Sequence, residues 1–119
     1  MVEIARGPDG HYHWPGRING RPVDFLVDTG ATSTAISAAL ARELQLEVLG
    51  AVQSNTAAGA VSGQVVRADV ALEGGVGAEG LRLTALPGLG ERPLLGMDVL
   101  GRLRWTQDAG VLRIELASR

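Results

Sequence analysis

No stretch of this chain constrains it more than Phe25-Leu26-Val27-Asp28-Thr29-Gly30-Ala31-Thr32-Ser33. A strand-like apolar run drives straight into a carboxylate, and Thr-Gly follows at once. Side chains alternate on a half-buried strand, so Val23, Phe25 and Val27 take one face and Asp24, Leu26 and Asp28 the other. Gly30 lets the backbone turn where other residues would clash. Asp28 is therefore expected at the end of a packed strand, in a tight loop whose N–H groups point back at it. A carboxylate taken out of water costs several kcal/mol unless it is paired or hydrogen-bonded, so this placement needs a reason. The plain alternative is an aspartate that caps its own turn.

The rest of the composition points to strands. Apolar residues make up 45% of the 119, but only four are aromatic, so the core must come from Val, Leu, Ile and Ala. That length suits one domain, expected to span residues 1–119. Seventeen glycines imply many tight turns and favour a β-rich fold over a helical bundle. A net charge of −2 without a basic block gives no footing for nucleic acid or an anionic membrane. With no cysteine, disulfides, thiol catalysis and cysteine-based zinc sites are excluded. No apolar run is long enough for a membrane span, and no signal peptide opens the chain. The compartment stays open: a soluble protein, or a piece of something longer.

In order, 2–6 alternates weakly as a first strand, and Pro8-Asp9-Gly10 signals a turn. His11-Tyr12-His13-Trp14 continues as a strand that Pro15-Gly16 should end. Asn19-Gly20 is a type I′ hairpin signal, and 23–27 is the return strand that delivers Asp28. Thr34-Ala35-Ile36 reads as an exit strand. Ser37 can cap a helix over about 38–46, with Leu40 and Leu44 on one face and Gly50 as a breaker beyond it. Residues 51–72 form a long hairpin with a small-residue tip at Thr56-Ala57-Ala58-Gly59-Ala60. Residues 74–80 read as a connector, 81–86 as a strand, 87–93 as a loop and 97–103 as a helix. Trp105 to Gly110 turns the chain, and 111–116 is the last strand.

Asp28-Thr29-Gly30-Ala31, preceded by Phe-Leu-Val and followed by Thr-Ser-Thr-Ala-Ile, resembles the active-site loop of retropepsin-like aspartic proteases of the single-domain, bacterial type. Leu94-Leu95-Gly96 before a short helix resembles that family's second marker. The resemblance runs from about Asp9 to Leu116 and is specific at 28–31, moderate at 94–96 and loose elsewhere. It implies an all-β fold, a closed, orthogonal acid-protease barrel with one or two short helices. It makes Asp28 the catalytic residue, with Thr29, Gly30, Ala31, Thr32, Leu95 and Gly96 supporting its loop. Ala57, Ala58, Gly59 and Ala60 become the tip of a flap that closes over a bound polypeptide. Water activated by carboxylates is the nucleophile, so no cofactor and no metal are implied. Relatives that carry a membrane anchor place this domain in the periplasm.

One Asp-Thr-Gly supplies one carboxylate, while hydrolysis by carboxylates takes a base and an acid. Asp24, Asp98 and Asp108 lie in unrelated contexts, so the partner group is expected from a second copy of the chain, in a homodimer. In relatives the threonine at Thr29 braces the two loops across the axis. Ala31 offers no hydroxyl where many two-lobed relatives carry serine, and the expected optimum is mildly acid. Two further readings stay open: a non-catalytic dimerisation or peptide-binding module, and a protease domain dormant as a monomer. His11 and His13 lie two apart, but with no third ligand near they read as surface or strand packing. Trp14 and Trp105 read as edge-of-core or interface residues.

Overall fold

The computed structural model describes residues 1–57 and 59–115. In chain order the elements are β1 (Val2–Ala5), β2 (His13–Ile18), β3 (Arg21–Val27), β4 (Ala35–Ser37), α1 (Ala38–Glu43), β5 (Glu47–Thr56), β6 (Gly59–Leu72), β7 (Val76–Leu86), β8 (Leu94–Leu95), α2 (Met97–Leu100), β9 (Arg104–Asp108) and β10 (Val111–Glu115). The fold is mostly β with two short helices, as the sequence implies. Strands β2, β3, β8, β4, β7 and β6 follow one another around a barrel, and β2 pairs back onto β6 to close it. β5 extends β6 beyond the closed ring. The two ends of the described chain meet in a separate sheet of order β1-β10-β9.

Closure explains why Pro15-Gly16 does not end β2. Around the tight Asn19-Gly20 turn, Ile18, Gly16 and Trp14 fall at the hydrogen-bonded pairs with β3, so the missing N–H of Pro15 faces away from that ladder. Gly16 sits where β6 arrives: a Cβ there would collide with the Ala71 carbonyl oxygen. Lacking one, the strand carries on to Ile18 and pairs with Val70. The turn itself has Asn19 at φ 48° and Gly20 at φ 83°, the left-handed pair a type I′ hairpin requires.

Several other boundaries differ from the sequence reading. β5 starts at Glu47, and Gly50 lies inside it beside a register shift rather than before it. Gly74 and Gly75, both at positive φ, turn the chain so tightly that the expected connector becomes the start of β7. Residues 104–108 form a strand, because the turn narrows to Ala109 (φ 52°) and Gly110 (φ 77°). Alanine there hid a second two-residue hairpin. α1 is capped by Ser37, whose Oγ accepts the Leu40 N–H at 3.0 Å, but it ends at Glu43 because Gln45 turns left-handed (φ 54°). Among the described residues, no helix is long and apolar enough to cross a membrane.

Trp14, Ile18, Phe25, Ile36, Val66, Leu83, Leu95, Leu100 and Ile114 are buried almost completely and join barrel, helices and terminal sheet in one core. Trp14 is thus a central core residue rather than an edge one, with its indole N–H donated to the Glu73 carbonyl at 2.8 Å. Each such side chain contributes about 1.5–3 kcal/mol relative to exposure. Phe25 anchors β3 just upstream of Asp28 and so ties the loop to the core.

Candidate active site

Asp28 leaves β3 under backbone control from both sides. The Leu26 N–H donates to the Pro93 carbonyl at 2.8 Å, the Val27 N–H to the Tyr12 carbonyl at 2.9 Å and the Asp28 N–H to the Leu95 carbonyl at 3.0 Å. β8 runs parallel to β3, pairing Leu26 with Leu94 and Val27 with Leu95. The turn then closes on the aspartate: the Ala31 N–H donates to its carbonyl at 3.1 Å, and the Gly30 N–H to its Oδ1 at 2.9 Å. This side-chain-to-backbone bond two residues on is the arrangement Asp favours in turns. Asp28 is half-buried, Ala31 likewise, and Thr29, Gly30 and Thr32 are exposed.

Gly96 lies against the far limb of the same loop. A Cβ on it would fall 2.7 Å from the Ser33 carbonyl carbon, 2.8 Å from the Ser33 oxygen and 2.9 Å from the Ala31 oxygen. Glycine is therefore the residue this contact admits. Next to it the Met97 N–H donates to the Ala31 carbonyl at 2.8 Å, and Leu95 is fully buried. Leu95 and Gly96 thus meet the loop at both limbs, one at Asp28 and one at Ala31.

A brace that sequence reasoning missed sits behind that contact. Thr34 is fully buried; its hydroxyl donates to Asp98 Oδ1 at 2.8 Å and accepts the Gly96 N–H at 3.1 Å. Its own N–H donates to Asp98 Oδ2 at 3.0 Å, and Oδ1 also accepts the Val99 N–H at 2.9 Å. Both carboxylate oxygens of Asp98 are therefore committed to holding loop to helix. The available signal was an aspartate in the first turn of a helix two residues after the Leu-Leu-Gly marker.

The β5–β6 hairpin pairs Asn55 with Ala60 and Thr56 with Gly59. Ala57, Gly59 and Ala60 at its tip are exposed, with Gly59 at φ 110°; Ala58 lies outside the described residues. His11 falls in a turn rather than on a strand, whereas His13 opens β2. His13 contacts two carboxylates, Asp9 and Asp24, and Arg92 reaches Asp9 as well. The Asp9 carboxyl is held below the usual carboxylate range, chiefly by the backbone N–H of His11 and further by His13, with burial opposing. Among the described residues, no group of three His, Cys, Asp or Glu side chains could hold a metal ion.

The fold has known counterparts. A retropepsin-like aspartic protease from Rickettsia conorii superposes with a TM-score of 0.74 at 24% identity, over 95% of this chain and 88% of that one. The retroviral protease-like domain of Ddi1 from Leishmania major gives 0.58 at 17% identity, over 97% and 90%. The simian foamy virus (mac) protease gives 0.55 at 20% identity, over 75% and 91%. A search of curated protein sequences finds no match. The model of the gag-polyprotein putative aspartyl protease family matches residues 14–102, from the first barrel strand through the helix behind the Asp28 loop. The chain belongs to that family of retropepsin-like aspartic proteases.

Proposed function

We propose that the chain is one half of an aspartic endopeptidase, completed when a twofold axis sets Asp28 against the Asp28 of a second copy. The observation that carries this reading is the half-buried Asp28 carboxylate, on a loop tied at Asp28, Gly30 and Ala31 and backed by Gly96. Asp98, the nearest acid in sequence to the second marker, has both oxygens engaged in Thr34 and the helix, so it is not a second catalytic group. The base and the acid of the reaction then come from two chains.

Two full negative charges about 3 Å apart, at an effective dielectric near 20, repel by roughly 5 kcal/mol. The pair therefore shares one proton near neutral pH, as in aspartic proteases generally. One carboxylate takes a proton from water while the other donates to the peptide carbonyl oxygen. Thr29 is exposed beside Asp28, and on this reading its hydroxyl braces the twin loops. Residues 57–60 act as the flap, Gly59 letting backbone lie along a substrate strand. Leu26, Leu89 and Leu94 line an open depression beside the loop and favour apolar residues near the cut bond.

The test compares wild type with Asp28→Asn by molar mass and by cleavage of a mixed peptide library between about pH 3 and pH 7. Cleavage by a dimeric wild type alone supports the reading. A stable dimer that cuts nothing makes the chain a dimerisation or binding module, and an inactive monomer makes it dormant.

A further inference from the structure

A line of charges runs beside the Asp28 loop. Asp24, Leu26 and Asp28 share one face of β3 by alternation, and β2 sets His13 directly opposite Leu26. His13 therefore stands on the face that carries the carboxylate. Its ring is held at both ends, with Nε2 2.7 Å from Asp9 Oδ2 and Nδ1 3.1 Å from Asp24 Oδ2. An ionised carboxylate only accepts, and a neutral imidazole has one N–H. Both contacts are hydrogen bonds only when the ring carries two protons.

The same Asp9 oxygen lies 3.4 Å from Arg92 Nη1, across 83 residues of sequence. Arg92 belongs to the 87–93 segment, where it joins Leu89, Gly90, Glu91, Leu26 and Leu94 around an open depression of about 390 Å³. Leu26 precedes Asp28 by two residues on the same face, so this segment walls a depression at the end of β3 that delivers Asp28. Asp9 is itself steadied by the His11 N–H at 3.0 Å.

We propose that His13 is a positioning residue for the 87–93 wall: as imidazolium it holds Asp9, and Asp9 holds Arg92. The groups facing His13 are Asp9 from the preceding turn and Asp24 from β3, with His11 and Arg92 behind Asp9. When the ring is neutral, one nitrogen turns a lone pair toward a carboxylate oxygen, and Asp9 loses the positive charge beside it. The wall then loosens once the ring gives up its second proton. All members are partly exposed, so added salt weakens the tie. Its consequence for cleavage rests on the paired-carboxylate reading above; the positioning does not.

The experiment measures ¹⁵N order parameters of Gly88, Gly90 and Glu91 at about pH 5.5 and about pH 8, in wild type, His13→Gln, Arg92→Gln and Arg92→Lys. Wild type should pass from near ~0.85 toward ~0.6 as pH rises. His13→Gln and Arg92→Gln should show the looser values at both pH values, while Arg92→Lys keeps the pH step. Arg92 is exposed and His13 partly exposed, so the variants keep the barrel, which unchanged amide shifts in β6 and β7 verify. In peptide cleavage, KM should rise several-fold over the same interval in wild type but not in His13→Gln, with kcat little changed between the two. A wall indifferent to pH in wild type, or a step that survives His13→Gln, overturns the proposal. If wild type cuts nothing, the protease reading falls and the order parameters still decide this one.

Discussion

Thr34 shows how much of the candidate site rests on one side chain away from Asp28. Its hydroxyl serves Asp98 and the Gly96 N–H at once, within a fully buried environment. Thr34→Val keeps the shape and removes both bonds, leaving the Gly96 N–H without its acceptor and Asp98 Oδ1 with the Val99 N–H but not the hydroxyl. We expect a loss of about 1–3 kcal/mol in urea unfolding. Gly96→Ala should cost about as much, because its methyl has no room between Ser33 and Ala31 and the loop must shift. At this scale Asp28 was legible, since an apolar strand running into Asp-Thr-Gly is a local pattern. Asp98 was not. Its partner lies 64 residues away, and no local rule pairs a helix-start aspartate with a threonine in a distant loop.

Elements were legible where turns announced themselves, as at Asn19-Gly20, and obscured where tertiary approach overrode local grammar. Pro15-Gly16 reads as a stop, but the barrel uses the bare Gly16 backbone to bring β6 alongside. Gly16→Ala should therefore strain the closure and lower stability by about 1–3 kcal/mol, read from the chemical denaturation midpoint. The same substitution at Gly20, whose missing Cβ meets nothing, strains the turn only through its positive φ. The sequence reads Trp105 to Gly110 as a turn, although 104–108 is a strand, because the two-residue Ala109-Gly110 hairpin lacks the usual Asn. The turn before β2 carries a pH signature of its own. Asp9 has its folded carboxyl below the ordinary value of 3.8, so its contribution is present above that value and lost as pH falls through the folded one. Comparing wild type with Asp9→Asn in urea from about pH 2 to pH 6, the stability gap should be present at the upper end and vanish at the lower.

For the whole molecule, glycine-rich turns point to a β-rich fold, and the barrel itself is what the resemblance carried by the two marker motifs implies. What no single chain displays is its partner, because the groups that would meet across an axis are the same residue counted twice. On the reading proposed above, one Asp28 is insufficient and two, from two copies, are required. The most direct test mixes wild type with Asp28→Asn in equal amounts, allows subunits to exchange, and measures peptide cleavage per total protein. Random pairing leaves about one quarter of the dimers with two aspartates, so activity should fall to about one quarter of that of wild type alone. Retention of about one half would mean that each chain works by itself, and would contradict the claim.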